Sequence, residues 1–172
     1  VSRVISATTG KYLDQANTVR TLAQSTGATY SETSKLIEVF DDAGVSSDSL
    51  GVAMRSLAKD GIAPSVDTIA NMADEYRSIQ GETERVAYLT EKFGNRAAEL
   101  GKIFDKTGAQ IREAGANVKN ALSDEDVKTA EEVRQSLDAI NDSWNAINNT
   151  IQRKVLPGNA AALGGFVILL DK

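Results

Sequence analysis

The sequence predicts an all-α fold, a bundle of short helices followed by one long helix. Three observations carry this. Apolar residues recur at three- and four-residue spacing along most of the chain. Only two prolines occur, Pro64 and Pro157, so long helices are permitted. Aromatics make up 5% of a chain that is 41% apolar, so the core must be built from Ala, Leu, Ile and Val, which suits helix-on-helix packing. At 25% charged residues, folding is expected and wholesale disorder is not.

Taken in order, residues 3 to 25 show helical spacing through Val4, Leu13, Ala16, Val19 and Ala23. Gly10 weakens the start, so the helix is expected from Lys11 onward, with Gly27 as its stop. A second helix opens at Ser31 and turns Leu36, Ile37, Val39 and Phe40 inward. Gly44 fits the left-handed position after its end, with Val45 as the accompanying hydrophobic contact. Ser46 or Ser47 caps a third helix, whose apolar face is Leu50, Ala53, Met54 and Leu57. Ile62-Ala63-Pro64 is an extended connector, because the residue before proline avoids the helical region. Ser65 caps a fourth helix with Ile69, Met72, Ala73, Tyr76 and Ile79 inward, and Gln80-Gly81 breaks it. Glu82 to Phe93 follows, with Val86, Leu89 and Phe93 inward. Beyond the Gly94-Asn95 turn, Ala97, Leu100, Ile103 and Phe104 mark a helix that tolerates Gly101, and a short segment surrounds Ile111.

The long helix is expected from Asp124 to Leu156. It opens on the capping signal Ser123-Asp124-Glu125-Asp126 and stops at Pro157-Gly158. Its length, at 1.5 Å per residue, is about 50 Å. Val133, Leu137, Ile140, Trp144, Ile147 and Ile151 form a 4-3-4-3-4 apolar seam. That spacing allows a left-handed coiled coil, but covers fewer than three heptads, and Trp144 is bulky for a tight seam. The preferred reading is a long helix lying across the short ones, ahead of self-association through the seam. The expected organisation is a short-helix domain at 1–122, the long helix at 123–157 and an apolar Gly/Ala-rich tail at 158–172. From Val155 to Leu170 no residue is charged. The run is just short of a membrane-spanning helix and is interrupted by Gly and Pro. It is read as a truncated apolar segment, with membrane contact as the lesser alternative. Phe166 to Leu170 suits either a strand or the start of a buried helix. A start at Val1 and an end at Lys172, just past an apolar run, suggest an internal piece of a longer polypeptide. No signal peptide is visible in it.

Composition also excludes chemistry. With neither Cys nor His, thiol nucleophiles, disulfides, Cys/His zinc sites and Ser-His-Asp arrangements are impossible. The net charge is −5 and no basic stripe emerges, so specific nucleic-acid binding is not expected. The paired carboxylates Asp41-Asp42, Glu82 with Glu84, Asp124 to Asp126 and Glu131-Glu132 fall at helix ends or on solvent faces, and solvated charge is the better reading. Gly164-Gly165 lacks a following Lys-Ser or Lys-Thr, so no phosphate loop is present, and no calcium-loop pattern occurs. Ser34-Lys35 and Ser56 with Lys59 are ordinary helix-surface residues. The expectation is therefore no enzyme, no catalytic residues, no cofactor and no metal.

Several motifs in order resemble the phage tail tape measure protein family. They are Gly44-Val45-Ser46 with Leu50 and Ala53-Met54-Arg55, then Gly61-Ile62-Ala63-Pro64, then Gly81-Glu82-Thr83-Glu84-Arg85. Phe93-Gly94-Asn95-Arg96-Ala97-Ala98-Glu99-Leu100, Leu122 to Asp126, Ser143-Trp144, Asn149-Thr150-Ile151 and Leu156-Pro157 follow. The resemblance runs from about Gly27 to Pro157 and departs from the family at Arg96, where a small residue is usual, and after Pro157. It implies a virion component of the tail lumen, made in the host cytoplasm, that sets tail length during assembly and leaves ahead of the DNA. It further implies as partners other copies of the chain, as a trimer or hexamer, the tail tube and tip proteins, and the host membrane at the apolar end. From the residues alone, a helical protein–protein adaptor is the alternative.

Overall fold

The computed structural model describes the chain from Ser2 to Lys154, and its side chains from Thr9 to Thr150. These residues are all-helical: a bundle of short helices followed by one long helix, with no strand among the described residues. The helices are α1 (Ser2–Thr26), α2 (Tyr30–Asp41), α3 (Ser47–Lys59), α4 (Val66–Ser78), α5 (Glu82–Phe93), α6 (Ala97–Phe104), α7 (Gly108–Asn117) and α8 (Asp124–Lys154). A 3₁₀ turn, Gly94–Arg96, joins α5 to α6. The chain forms two compact units, 1–131 and 132–172, so α8 begins in the first and continues in the second.

Local chemistry sets the boundaries. Thr29, Ser46, Ser65 and Thr107 each accept a backbone N–H of the following first turn. Such caps are worth about 1 kcal/mol each. The second helix thus begins one residue before the expected Ser31, with Thr29 as its cap. Gly44 has φ 69°. Gly44 N–H bonds to Asp41 O at 2.8 Å and Val45 N–H to Phe40 O at 2.9 Å, the Schellman pattern, and Val45 is buried. The first helix runs back to Ser2, well before Lys11. Gly10 lies inside it, with nothing within 4 Å of the place a Cβ would occupy. A mid-helix glycine costs only about 1 kcal/mol relative to alanine, which neighbouring turns offset.

The core of the first unit draws Leu36, Val39 and Phe40 from α2, Leu50, Met54 and Leu57 from α3, Ile69 and Ala73 from α4, and Leu100, Ile103 and Phe104 from α6. Phe104 stacks on Phe93 with ring centroids 5.8 Å apart and tilts against Tyr76 at the same distance. Leu89 and Phe93 point inward as expected, but Val86 is 58% exposed. It sits at the mouth of a groove whose other wall is Ala97, Ala98 and Gly101, side chains too short to cover it. Helices α4 and α7 approach closely at two glycines. A Cβ on Gly108 would lie 2.6 Å from Ala70 O, and one on Gly115 would lie 2.7 Å from a Val66 methyl. Arg112 closes the same pair of helices, with Nε 3.1 Å from Asp67 Oδ1 and a guanidinium nitrogen 3.5 Å from Asp74 Oδ2.

Candidate interaction surface

The start of α8 is anchored within the first unit. Ser123 and Asp126 cap it reciprocally: Asp126 N–H donates to Ser123 Oγ at 3.2 Å, and Ser123 N–H to Asp126 Oδ2 at 2.8 Å. The bonds from Ser123 hold the Asp126 carboxyl below its ordinary range. Val127 and Ala130 pack with Leu122 on Ala16 and Val19 of α1. Ser34, expected on the helix surface, is instead buried and accepts the Leu122 N–H at 3.0 Å, and Arg20 lies 3.5 Å from Glu131. The sequence pattern missed this second small core: Ala130 continues the seam's spacing one step before Val133 but is short, and Val127 lies off the seam's line.

Beyond Glu131 every residue through Thr150 is exposed. Val133 (39%), Leu137 (47%), Ile140 (54%), Trp144 (65%) and Ile147 (49%) are exposed on one face rather than covered. At 100° per residue they fall within a stripe about 80° wide. Ile151 continues the spacing, but its side chain lies outside the described residues, as do the Leu156-Pro157 stop and the tail at 158–172. Ala139, Ile140, Ser143, Trp144 and Ile147 outline a shallow apolar concavity within this stretch.

The flanks of the stripe are polar and almost uncharged. Ser136, Ser143 and Thr150, seven residues apart, line one flank. Each hydroxyl donates to the carbonyl four residues back, Glu132 O, Ala139 O and Ala146 O, at 2.8 Å. The other flank carries Arg134, Asn141 and Asn148. Asp138 and Asp142 fall on the far side of the helix. Such an arrangement can bury an apolar face against another helix without desolvating a row of charges.

Elsewhere the titratable groups serve the fold. Glu99 of α6 accepts from Ser46 N–H at 2.8 Å and from the Ser49 hydroxyl, with Arg96 3.6 Å away. These bonds to Ser46 and Ser49, helped by Arg96, hold its carboxyl down at about 2. Partial burial pushes Glu32 up, but the Val66 N–H at 3.0 Å and Lys35 at 2.9 Å outweigh it and hold the carboxyl below its usual value. Burial, then the bond to Glu75 at 2.9 Å, pushes the Tyr88 phenol up. Asp41, Asp42, Glu82, Glu84, Asp124 and Glu125 are exposed. A cleft of about 850 Å³ beside α1, α2 and α7 is lined by Tyr12, Gln15, Glu38, Lys106, Glu113 and Lys119, with no convergent set of one charge. Among the described residues no group of His, Cys, Asp or Glu is placed to hold a metal ion, and no helix is long and apolar enough to cross a membrane. Compared with family profiles, curated proteins and solved structures, the chain matches none, so its function is argued from its own residues.

Proposed function

We propose that this chain is a helical segment of a phage or prophage tail tape measure protein, setting tail length during assembly and occupying the tail lumen until DNA ejection. The observation that carries the reading is the exposed seam of α8, Val133 to Ile147. A run of five large apolar side chains on one exposed helix face is the mark of an interaction surface. The motif series from Gly44 to Pro157 supports the family. Helix geometry supports the role, because a fixed rise per residue converts residue number into length. In this reading the partners are other copies of the chain, in a trimer or hexamer, with the tube and tip proteins around them. The chain carries out no catalysis, and its acidic balance gives a departing polyanion little to hold.

The test is tail length. Deleting residues 124–156 in frame from the parent gene should shorten tails by about 50 Å, measured by electron microscopy over many particles. Tails of unchanged length, or a parent chain too short to span any tail, would sink the ruler.

An adaptor that engages a different protein is the second reading. Trp144 favours it, since Trp is enriched among the residues that anchor binding interfaces and this one is exposed within an apolar stripe. A chain that stays monomeric while its seam binds a heterologous helix would select the adaptor.

A further inference from the structure

The α3–α4 pair is tied to its neighbours at the start of each of its two helices, and each tie is a carboxylate. Glu99 of α6 accepts the Ser46 N–H at 2.8 Å and the hydroxyl of the buried Ser49, so it holds both the cap and the first turn of α3. One turn on, Lys102 of α6 donates to Gly44 O at 3.0 Å, in the turn that leads into α3. Glu32 of α2 accepts the Val66 N–H at 3.0 Å, the first of α4. The opening N–H groups of a helix have no carbonyl four residues back, so these bonds to other helices fill places that the helix itself leaves empty.

Both helices carry a second cap that is local and does not titrate. Ser46 Oγ accepts the Ser49 N–H at 3.3 Å, and Ser65 Oγ accepts the Thr68 N–H at 3.0 Å. The hydroxyls hold each helix start together, while the carboxylates hold it to its neighbours. A carboxyl group that takes up a proton keeps its size but loses its charge and much of its strength as an acceptor. We propose that acid opens the α3–α4 pair ahead of the rest of the first unit, with both helices intact, by releasing Glu32 and Glu99.

The sign follows from the bonds. Those from Ser46 and Ser49 hold Glu99 at about 2, against an ordinary value of 4.5. Burial pushes Glu32 up, but the Val66 N–H and Lys35 outweigh it and hold it below 4.5. Both ties are therefore complete above about 4.5 and are lost as the pH falls through the lower, folded values. The charges near Glu99 are Arg96 on its own helix at 3.6 Å, Asp48 in the first turn of α3 and Lys102. Glu32 has Lys35 on its own helix at 2.9 Å, and borders a hollow of about 270 Å³ together with Asp67 of α4 and Arg112 of α7. Arg112 is itself paired with Asp67 and Asp74 at 3.1 and 3.5 Å, so amide variants of Glu32 and Glu99 are needed to separate the two ties from that pair. Leu122 supplies the contrast, because its N–H is held by the Ser34 hydroxyl, which acid leaves unchanged.

The test is amide exchange of the whole chain from pH 7 down to about 2.5, corrected for the intrinsic pH dependence of exchange. As the pH passes below 4.5, protection in 47–59 and 66–78 should fall at least about tenfold relative to 16–23 and 33–40, while far-ultraviolet dichroism keeps its helical signal. The chain carrying both Glu32→Gln and Glu99→Gln should show this loss already at pH 7, with no further difference between the two sets of amides on acidification. Glu99→Gln alone should loosen the start of α3, and Glu32→Gln alone the start of α4. Protection lost equally across the unit, no loss down to pH 2.5, or an acid effect that the amide variants neither reproduce nor remove would each overturn the proposal. Should the double variant not fold, the parent and the two single variants give the same readouts. None of these results bears on tail length, because both ties lie in the bundle and not in α8.

Discussion

At the scale of single residues, three positions make distinct demands. Gly115 of α7 is set by proximity, since a Cβ there would meet both Val66 methyls at under 3.0 Å. Gly115→Ala should therefore destabilise by about 1–3 kcal/mol through overpacking. Thermal unfolding checks this, and an unchanged midpoint would show that the two helices separate at no cost. Ser34 is buried and accepts the Leu122 N–H. Ser34→Ala leaves that donor without its partner and should cost about 1–3 kcal/mol in urea unfolding, where a neutral result would mean that water replaces the hydroxyl. Glu99 makes a pH prediction. Its folded carboxyl titrates near 2 against an ordinary value of 4.5. The contribution is therefore full above about 4.5 and is lost as pH falls toward 2. Glu99→Gln should be less stable than the parent at neutral pH, and the difference should close between those two values. A gap that persists at pH 2 would assign the effect to packing.

At the scale of elements, α8 is one helix with two kinds of support. Its first turns are capped by Ser123 and packed through Val127 and Ala130. From 132 to 150 its side chains are exposed, the large apolar ones among them in a stripe. Amide exchange should divide accordingly. In dilute solution the amides of 127–131 should be protected to nearly the extent of the bundle, and those of 133–150 should exchange far sooner. Raising the concentration should slow exchange in 133–150 alone. Uniform protection along the helix at all concentrations would refute the division. The α5–α6 pair shows the same dependence on neighbours. Val86 has the periodicity of a core residue, but α6 meets it with Ala97, Ala98 and Gly101 and leaves it open.

At the scale of the whole molecule, the first unit owns a complete core, and the described residues of the second, 132–150, offer an exposed apolar face. Ile140→Asp tests that division. It should change the unfolding midpoint of the first unit by no more than a surface substitution does, about 0.5 kcal/mol. It should also abolish self-association through the seam, read by sedimentation over a range of concentrations. Loss of the bundle along with the association would mean that the seam is part of the folding core.

The sequence by itself determined the helical class, most boundaries and the position of the seam. These follow from local causes: hydrophobic period, hydroxyl caps at Ser46, Ser65 and Ser123, and the left-handed turn at Gly44. Only the tertiary structure decided what each apolar residue meets. Val86 and the seam carry the same period as Leu89 and Leu57, yet the first two are exposed and the last two are buried. Spacing fixes the side of a helix on which a residue lies, but burial depends on a partner whose distance and side-chain length lie elsewhere in the chain. The small core that seats α8 joins Ala16 and Val19 to Val127 and Ala130. Contacts between residues so far apart leave no local signature in the sequence, and they set the point where α8 passes from packed helix to exposed stripe.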